Sequence, residues 1–170
     1  MPLLGPLNLQ SWIDAHRDAL KPPVGNQRIY EDSEFIVMVV GGPNARKDYH
    51  INQSEELFYQ IEGDIVLKVV EEGVFRDIPI RAGDMFLLPP NIPHSPQRGA
   101  GTVGLVIERR RREGETDALR WYCSNCGSAL HEARFPLTDI VHQLRHAIES
   151  FSAREDLRTC GSCGHIETMP

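Results

Sequence analysis

The chain has 170 residues, of which 41% are hydrophobic and 25% charged, and its net charge is −6. That length suits one ordinary domain with a small appendage, and the composition is that of a folded protein with a core. The acidic balance argues against a nucleic-acid partner, and no apolar run approaches the ~20 residues of a membrane-spanning helix.

The N-terminus, MPLLGPLNLQSW, lacks the charged n-region and small-residue cleavage site of a signal peptide. A cytoplasmic protein that stays off membranes is therefore expected. Residues 8–20 read as a short helix: Asn8 caps it, and Leu9, Trp12, Ile13, His16 and Leu20 share one face. His16 is expected to be a half-buried packing residue, and Pro22 and Pro23 stop the helix.

From residue 28 to 109 the pattern is β. Apolar, β-branched-rich segments fall at 28–31, 35–40, 57–61, 65–70, 77–80, 85–88 and 103–109, separated by Gly/Pro/Asn/Asp turns such as Glu62-Gly63-Asp64. Many short strands at this spacing predict an all-β-dominated antiparallel sandwich or barrel. The arginine run 109–112 reads as a strand end entering a solvated loop. Residues 110–120 read as a linker and 121–170 as a small tail. Within the tail, Leu137, Ile140, Val141, Leu144, Ile148 and Phe151 recur at helical spacing and should pack on the barrel. The expected organisation is a barrel with its N-terminal helix over 1–110 and a C-terminal extension over 111–170.

Two blocks inside the β region carry chemistry. One runs from Gly41-Gly42-Pro43-Asn44 to His50, then Glu56 and Gly63; the other from Gly83-Asp84 to Pro89 and His94. His50, Glu56 and His94 make a two-histidine, one-carboxylate set, which suits non-haem Fe(II) and leaves up to three coordination positions open for a chelating substrate and dioxygen. Glu55 is the competing carboxylate, but it would face the opposite side of a strand. The spacing resembles the two metal-binding motifs of the cupin superfamily, which implies a jelly-roll β-barrel with the metal inside. There is one departure from that pattern: Asn52 stands where the first motif usually has a second histidine, reducing the expected ligands from four to three.

Three charged residues lie near these ligands in sequence. Arg46 precedes His50, Arg98 follows His94, and Glu108 is on the last barrel strand. A guanidinium binds a carboxylate through two parallel hydrogen bonds, and a glutamate can accept a proton or hydrogen bond from an amino or hydroxyl group. From chemistry alone the two arginines read equally as exposed loop charges, and Glu108 reads first as an exposed strand-end charge beside the arginine run. Iron chemistry alone also leaves open another cupin oxygenase or isomerase on a small acid, or a non-catalytic metal-dependent binding protein.

A closer resemblance covers nearly the whole chain. Pro22-Pro23-Val24-Gly25-Asn26, Val39-Val40-Gly41-Gly42-Pro43-Asn44, Asp48-Tyr49-His50, Glu56-Leu57-Phe58-Tyr59-Gln60, Phe86-Leu87-Leu88-Pro89-Pro90, His94-Ser95-Pro96-Gln97-Arg98 and Val106-Ile107-Glu108-Arg109 resemble the 3-hydroxyanthranilate 3,4-dioxygenase family. The resemblance implies that His50, Glu56 and His94 bind catalytic Fe(II). It implies that Arg98 holds the substrate carboxylate, Glu108 contacts its amino or hydroxyl side, and Arg46 sits beside dioxygen. It also implies that Val24, Asn26, Phe58, Ile140 and Leu144 line the pocket. The implied reaction takes the aromatic acid and O2 to 2-amino-3-carboxymuconate semialdehyde, the precursor of quinolinate in tryptophan degradation. A homodimer is expected from the family.

All four cysteines lie beyond residue 122, as Cys123-Ser-Asn-Cys126-Gly and Cys160-Gly-Ser-Cys163-Gly. Two such pairs suit a tetrahedral four-sulfur site for zinc or a rubredoxin-like iron rather than disulfides. With no open position, this second metal is expected to be structural. The bacterial form of the family carries a Cys-x-x-Cys pair near each end of its tail, which implies a site remote from the catalytic iron. His131 and His165 are expected to be surface residues.

Overall fold

The computed structural model describes residues 3, 5–22, 25–44, 46–138 and 140–169, without the side chains of residues 140 and 141. Along the chain, helix α1 (Leu9–His16) and a 3-10 turn (Arg17–Leu20) lead into strands β1 (Asn26–Arg28), β2 (Phe35–Gly41), β3 (Asp48–Ile51) and β4 (Glu56–Glu62). The hairpin β5 (Ile65–Glu71) and β6 (Val74–Ile80) follows, then β7 (Met85–Leu88), β8 (His94–Arg98) and β9 (Val103–Arg109). Last come β10 (Asp117–Tyr122), β11 (Ala129–Phe135), α2 (Ile140–Ala153) and the single turn α3 (Glu155–Arg158).

The strands form two antiparallel sheets. One has the order β1-β2-β9-β4-β7 and the other β11-β10-β3-β8-β5-β6. Both bury one face, as the alternation along β4 illustrates: Glu56, Phe58 and Gln60 are buried, whereas Leu57 and Tyr59 are half-exposed. Between the sheets Met38, Phe58, Leu67, Val69, Ile80, Leu88 and Val106 form the barrel core. Helix α1, capped by the Asn8 side chain on Ser11 N–H, lays Ile13 against Val39 and Val103 on the outside of the first sheet.

Four sequence expectations change. Residues 48–51 and 94–98 are strands although they lack apolar alternation; they carry histidines, a proline and amides because they line a polar site. Residues 117–120 are not linker: β10 pairs along β3, placing Leu119 opposite His50, so the C-terminal segment continues the second sheet. The arginine run is not simply a solvated loop, since Arg111 is buried at its centre (4% side-chain exposure). His16 is exposed, not half-buried; its ring stacks on Trp12 with centroids 4.1 Å apart.

The predicted stripe on α2 packs as a third core, in which Leu144, Ile148 and Phe151 meet Leu119 and Trp121. Trp121 stacks on Phe151 with centroids 4.3 Å apart, and His131 lies against the same pair. Among the described residues, no helix is long and apolar enough to cross a membrane.

Candidate active site

Sheet register assembles the site from two cross-strand pairs. On β3 and β8, His50 and His94 are direct partners; on β4 and β9, Glu56 and Glu108 are direct partners. All four side chains are buried. Ligand atoms of His50, Glu56 and His94 lie within 4.8 Å of one another, and His94 Nε2 is 3.2 Å from Glu56 Oε2. A face of an octahedron with bonds of about 2.1 Å has edges of about 3 Å, so the donors can close on one ion with small movements. Glu55 is exposed, as strand alternation required.

Each imidazole is held by a second group. The Nδ1–H of His94 donates to Ile92 O at 3.0 Å, leaving Nε2 facing Glu56. His50 Nε2 lies 2.6 Å from Asp117 Oδ2. Burial would raise the Asp117 pKa, but Arg111 and His50 outweigh it and hold the carboxyl below its ordinary range. His50 is pushed down by burial, toward the neutral form that binds metals. Burial would lower His94 as well, yet the neighbouring Glu56 carboxylate carries it the other way. An ion at this position would take over that partnership.

Asp117 and Arg111, which no local sequence pattern singles out, back the site. Arg111 grips Asp117 through two hydrogen bonds of 2.6 Å and reaches Glu108 Oε2 at 2.9 Å. One guanidinium thus links the group that orients His50 to the carboxylate on the other sheet. Asn52 completes the frame, its Nδ2 donating to Glu56 Oε2 at 3.1 Å and to Glu108 Oε2 at 2.9 Å. Where the usual motif has a ligand, this chain has an amide that ties two carboxylates together.

Glu108 nevertheless holds its proton unusually well. Burial, with Glu56 directly opposite and against the pull of Arg111, lifts its pKa to about 7. Its Oε1 is buried and has no hydrogen-bond partner. Arg98 presents the complementary deficit: it is 4% exposed, Nη1 reaches only Gln60 Oε1 at 3.3 Å, and Nε has no partner. Burial without an adjacent carboxylate lowers its pKa to about 10. Gly104 makes room for this guanidinium, since a Cβ there would stand 2.9 Å from Nη1.

The cavity between the sheets is lined by Asn26, Asn44, Arg46, His50, Glu56, Phe58, His94, Arg98, Glu108 and Leu144, among others. Arg46 ion-pairs with Asp48. Asn26, Phe58 and Leu144 line the same cavity as the triad. Val24 lies outside the described residues, as does the Ile140 side chain.

At the other end of the second sheet the four sulfurs converge. Cys123 and Cys163 Sγ are 3.7 Å apart, and Cys126 and Cys160 Sγ 3.6 Å. A tetrahedron with bonds of about 2.3 Å has edges of about 3.8 Å, which these spacings match. Both knuckles have one geometry: Gly127 N donates to Cys123 O and Gly164 N to Cys160 O, each at 2.8 Å. Gly127 and Gly164 have φ of 75° and 73°, which glycine adopts without strain. The donor set fits a closed metal site, and all four thiols are free of disulfide bonds.

A two-sheet barrel with a histidine pair and a carboxylate facing each other inside it is a cupin with a candidate mononuclear metal centre. Residues 1–152 match the family model described as 3-hydroxyanthranilic acid dioxygenase, and the chain belongs to that family. It is 56% identical over 168 residues to a 3-hydroxyanthranilate 3,4-dioxygenase of Xanthomonas euvesicatoria pv. vesicatoria, covering 99% of this chain and 95% of that protein. It is 55% identical over 169 residues to one of the fungus Pyricularia oryzae, covering 96% and 91%. Among solved structures, protein NMB1881 of Neisseria meningitidis shares the fold: TM-score 0.50, 22% identity, 62% of this chain and 99% of that one.

Proposed function

We propose that this protein is an Fe(II)-dependent ring-opening dioxygenase that converts 3-hydroxyanthranilate and O2 to 2-amino-3-carboxymuconate semialdehyde. The observation that carries the reading is the pair of unmet buried groups beside the triad: Arg98 Nε, a donor without an acceptor, and Glu108 Oε1, an acceptor without a donor. An aromatic acid bearing a carboxylate and an adjacent amine and hydroxyl satisfies both. Buried polar atoms cost about 1–3 kcal/mol each when unpaired, so the cavity favours a ligand that pairs them.

In this reading His50, Glu56 and His94 would hold the iron. Bound there, iron supplies a route for electrons from the ring to dioxygen. Arg98 takes the carboxylate and fixes the ring plane. Glu108 receives the hydroxyl proton, which leaves a more electron-rich ring. Arg46 faces negative charge that develops on oxygen and stabilises it electrostatically. Asn26, Phe58 and Leu144 exclude water from the ring. The semialdehyde product fixes the bond that breaks: it joins the hydroxyl-bearing carbon to the adjacent carbon carrying hydrogen, because only a C–H carbon can emerge as an aldehyde. Both oxygen atoms enter the product, one in the new carboxylate and one in the aldehyde, and the product cyclises to quinolinate.

The four-sulfur site takes iron or zinc in a structural role. Four free thiols support a reducing, cytoplasmic setting. The outer face of the first sheet, where Val37, Ile107, Leu57 and Leu87 run side by side and Phe35, Met85 and Leu87 are more than half exposed, supports a homodimer through that face.

Oxygen uptake by the iron-loaded protein with 3-hydroxyanthranilate, together with the absorbance of the ring-opened product, tests the reading. One O2 consumed per product formed is expected. Iron bound at the triad without uptake would sink it.

A further inference from the structure

Arg46 lines the inner cavity and also an outer cleft formed with Lys47, Tyr49, Tyr122, Ser124 and Glu167. Its side chain is therefore part of the wall between the two. On the inner side it is held by Asp48, and Gln97 Nε2 donates to its carbonyl at 3.3 Å. On the outer side, restraint comes from its neighbour. Lys47 Nζ reaches Glu167 Oε1 at 2.6 Å, across 120 residues of sequence, and it also donates to Thr168 O.

Glu167 is only 3% exposed. Its other oxygen accepts from Ser124 N–H at 3.0 Å, inside the first cysteine knuckle, and lies 3.5 Å from His165 Nε2. The backbone of Glu167 is fixed in turn, N–H to Arg158 O at 2.9 Å and carbonyl to Arg158 Nη1 at 2.7 Å. Burial would raise the carboxyl pKa, but Lys47 and the Ser124 N–H hold it at about 2. A buried, ionised carboxylate costs too much to leave without its cation. The segment carrying Arg46 and Lys47 cannot swing outward without breaking this pair.

We propose that Glu167, acting through Lys47, is a positioning residue for Arg46, tying the four-cysteine end of the molecule to the dioxygen side of the catalytic cavity. The role of Arg46 in turnover rests on the proposed function; the tether itself does not. A 1 Å displacement of a charge-stabilising group is enough to slow a reaction about a hundredfold, so a looser segment should slow turnover measurably.

The experiment uses full-length protein with both metals loaded and their content measured. Lys47→Met should speed hydrogen exchange at the amides of Arg46, Lys47 and Asp48 about tenfold. It should lower kcat about tenfold while the Michaelis constant for the aromatic acid changes less than about twofold. Lys47→Arg keeps the ion pair and should restore both. In an Arg46→Ala background, Lys47→Met should cause no further loss of kcat, because its effect passes through Arg46. Unchanged exchange overturns the tether. Faster exchange with an unchanged kcat, or with an equal loss in the Arg46→Ala background, overturns the positioning role. Wild-type turnover by Arg46→Ala alone removes the proposed role of Arg46, while the exchange result still decides the tether.

Discussion

Glu56 and Glu108 stand directly opposite each other on adjacent strands, side chains inward. Like charges in that arrangement repel, and the conflict is settled unequally. Glu56 faces the histidines and is held below the ordinary carboxylate range, burial notwithstanding, by His94 and His50. Glu108 is pushed up to about 7 by its burial and by Glu56. One sheet register thus yields a carboxylate suited to a metal and a carboxyl suited to proton transfer.

The pH dependence of turnover should carry this asymmetry. Glu108 accepts a proton only when ionised, so kcat/KM rises with pH through about 7. Glu108→Gln keeps the shape and the Asn52 contact but cannot take the proton. It should lose the rising limb and turn over about a hundredfold more slowly, at full iron content. A rising limb that survived in Glu108→Gln would assign it to another group.

Stability of the metal-free protein should move the other way. The folded-state pKa of Glu108 is raised above its unfolded value, so the folded protein keeps the proton longer. Its contribution is present below about pH 4 and is lost as pH rises through about 7. Thermal unfolding of the metal-free chain should show Tm falling over that window, and Glu108→Gln should flatten the fall. A slope identical in the two proteins would mean that Glu108 titrates normally.

The candidate ligands were legible because they sit in two short motifs at fixed spacing, and a buried Glu56 with an exposed Glu55 follows from strand alternation alone. Arg111 was not legible. It lies in a run of four arginines, and only the return of the chain into β10 brings Asp117 within reach of it. Asp117 is 67 residues from His50 in sequence, joined by a strand pairing that no local pattern announces. Asn52 was legible as a missing ligand but not as a bridge between two carboxylates. The same distance hides the contact of Lys47 with Glu167.

Asp117 and Arg111 should therefore govern metal affinity without touching the metal. Asp117→Asn keeps the size but lets His50 adopt the wrong tautomer and leaves Arg111 half-paired. Iron affinity should fall about 10- to 100-fold, read by competition with a chelator. The tail should remain folded, with its cysteine-bound metal retained. Wild-type affinity would mean that sheet packing alone orients His50.

Arg98 should govern substrate binding. Arg98→Ala should weaken it by about 2–5 kcal/mol, because the partner carboxylate is left buried and unpaired. Gly104→Ala offers a gentler probe: its Cβ would meet Gln60 Oε1 at 2.7 Å and Arg98 Nη1 at 2.9 Å. The guanidinium must shift, so the Michaelis constant should rise while iron content stays the same. If neither substitution changes the Michaelis constant, the carboxylate is recognised elsewhere.

The two metal sites should separate under chemical challenge. The four sulfurs bring together strands and turns of a tail whose own core is the small cluster around Trp121 and Phe151, so a metal held there would contribute folding energy directly. Cys126→Ser, at an exposed corner of the site, weakens that clip without opening a core cavity. Proteolysis should then cut first within residues 155–169, whereas the barrel, closed by its own hydrogen bonds and by the core around Phe58 and Leu67, resists. Iron at the triad should stay bound, because Asp117, which orients His50, lies at the end of β10 away from Cys123. Simultaneous loss of both metals would show that the tail and the barrel unfold as one unit.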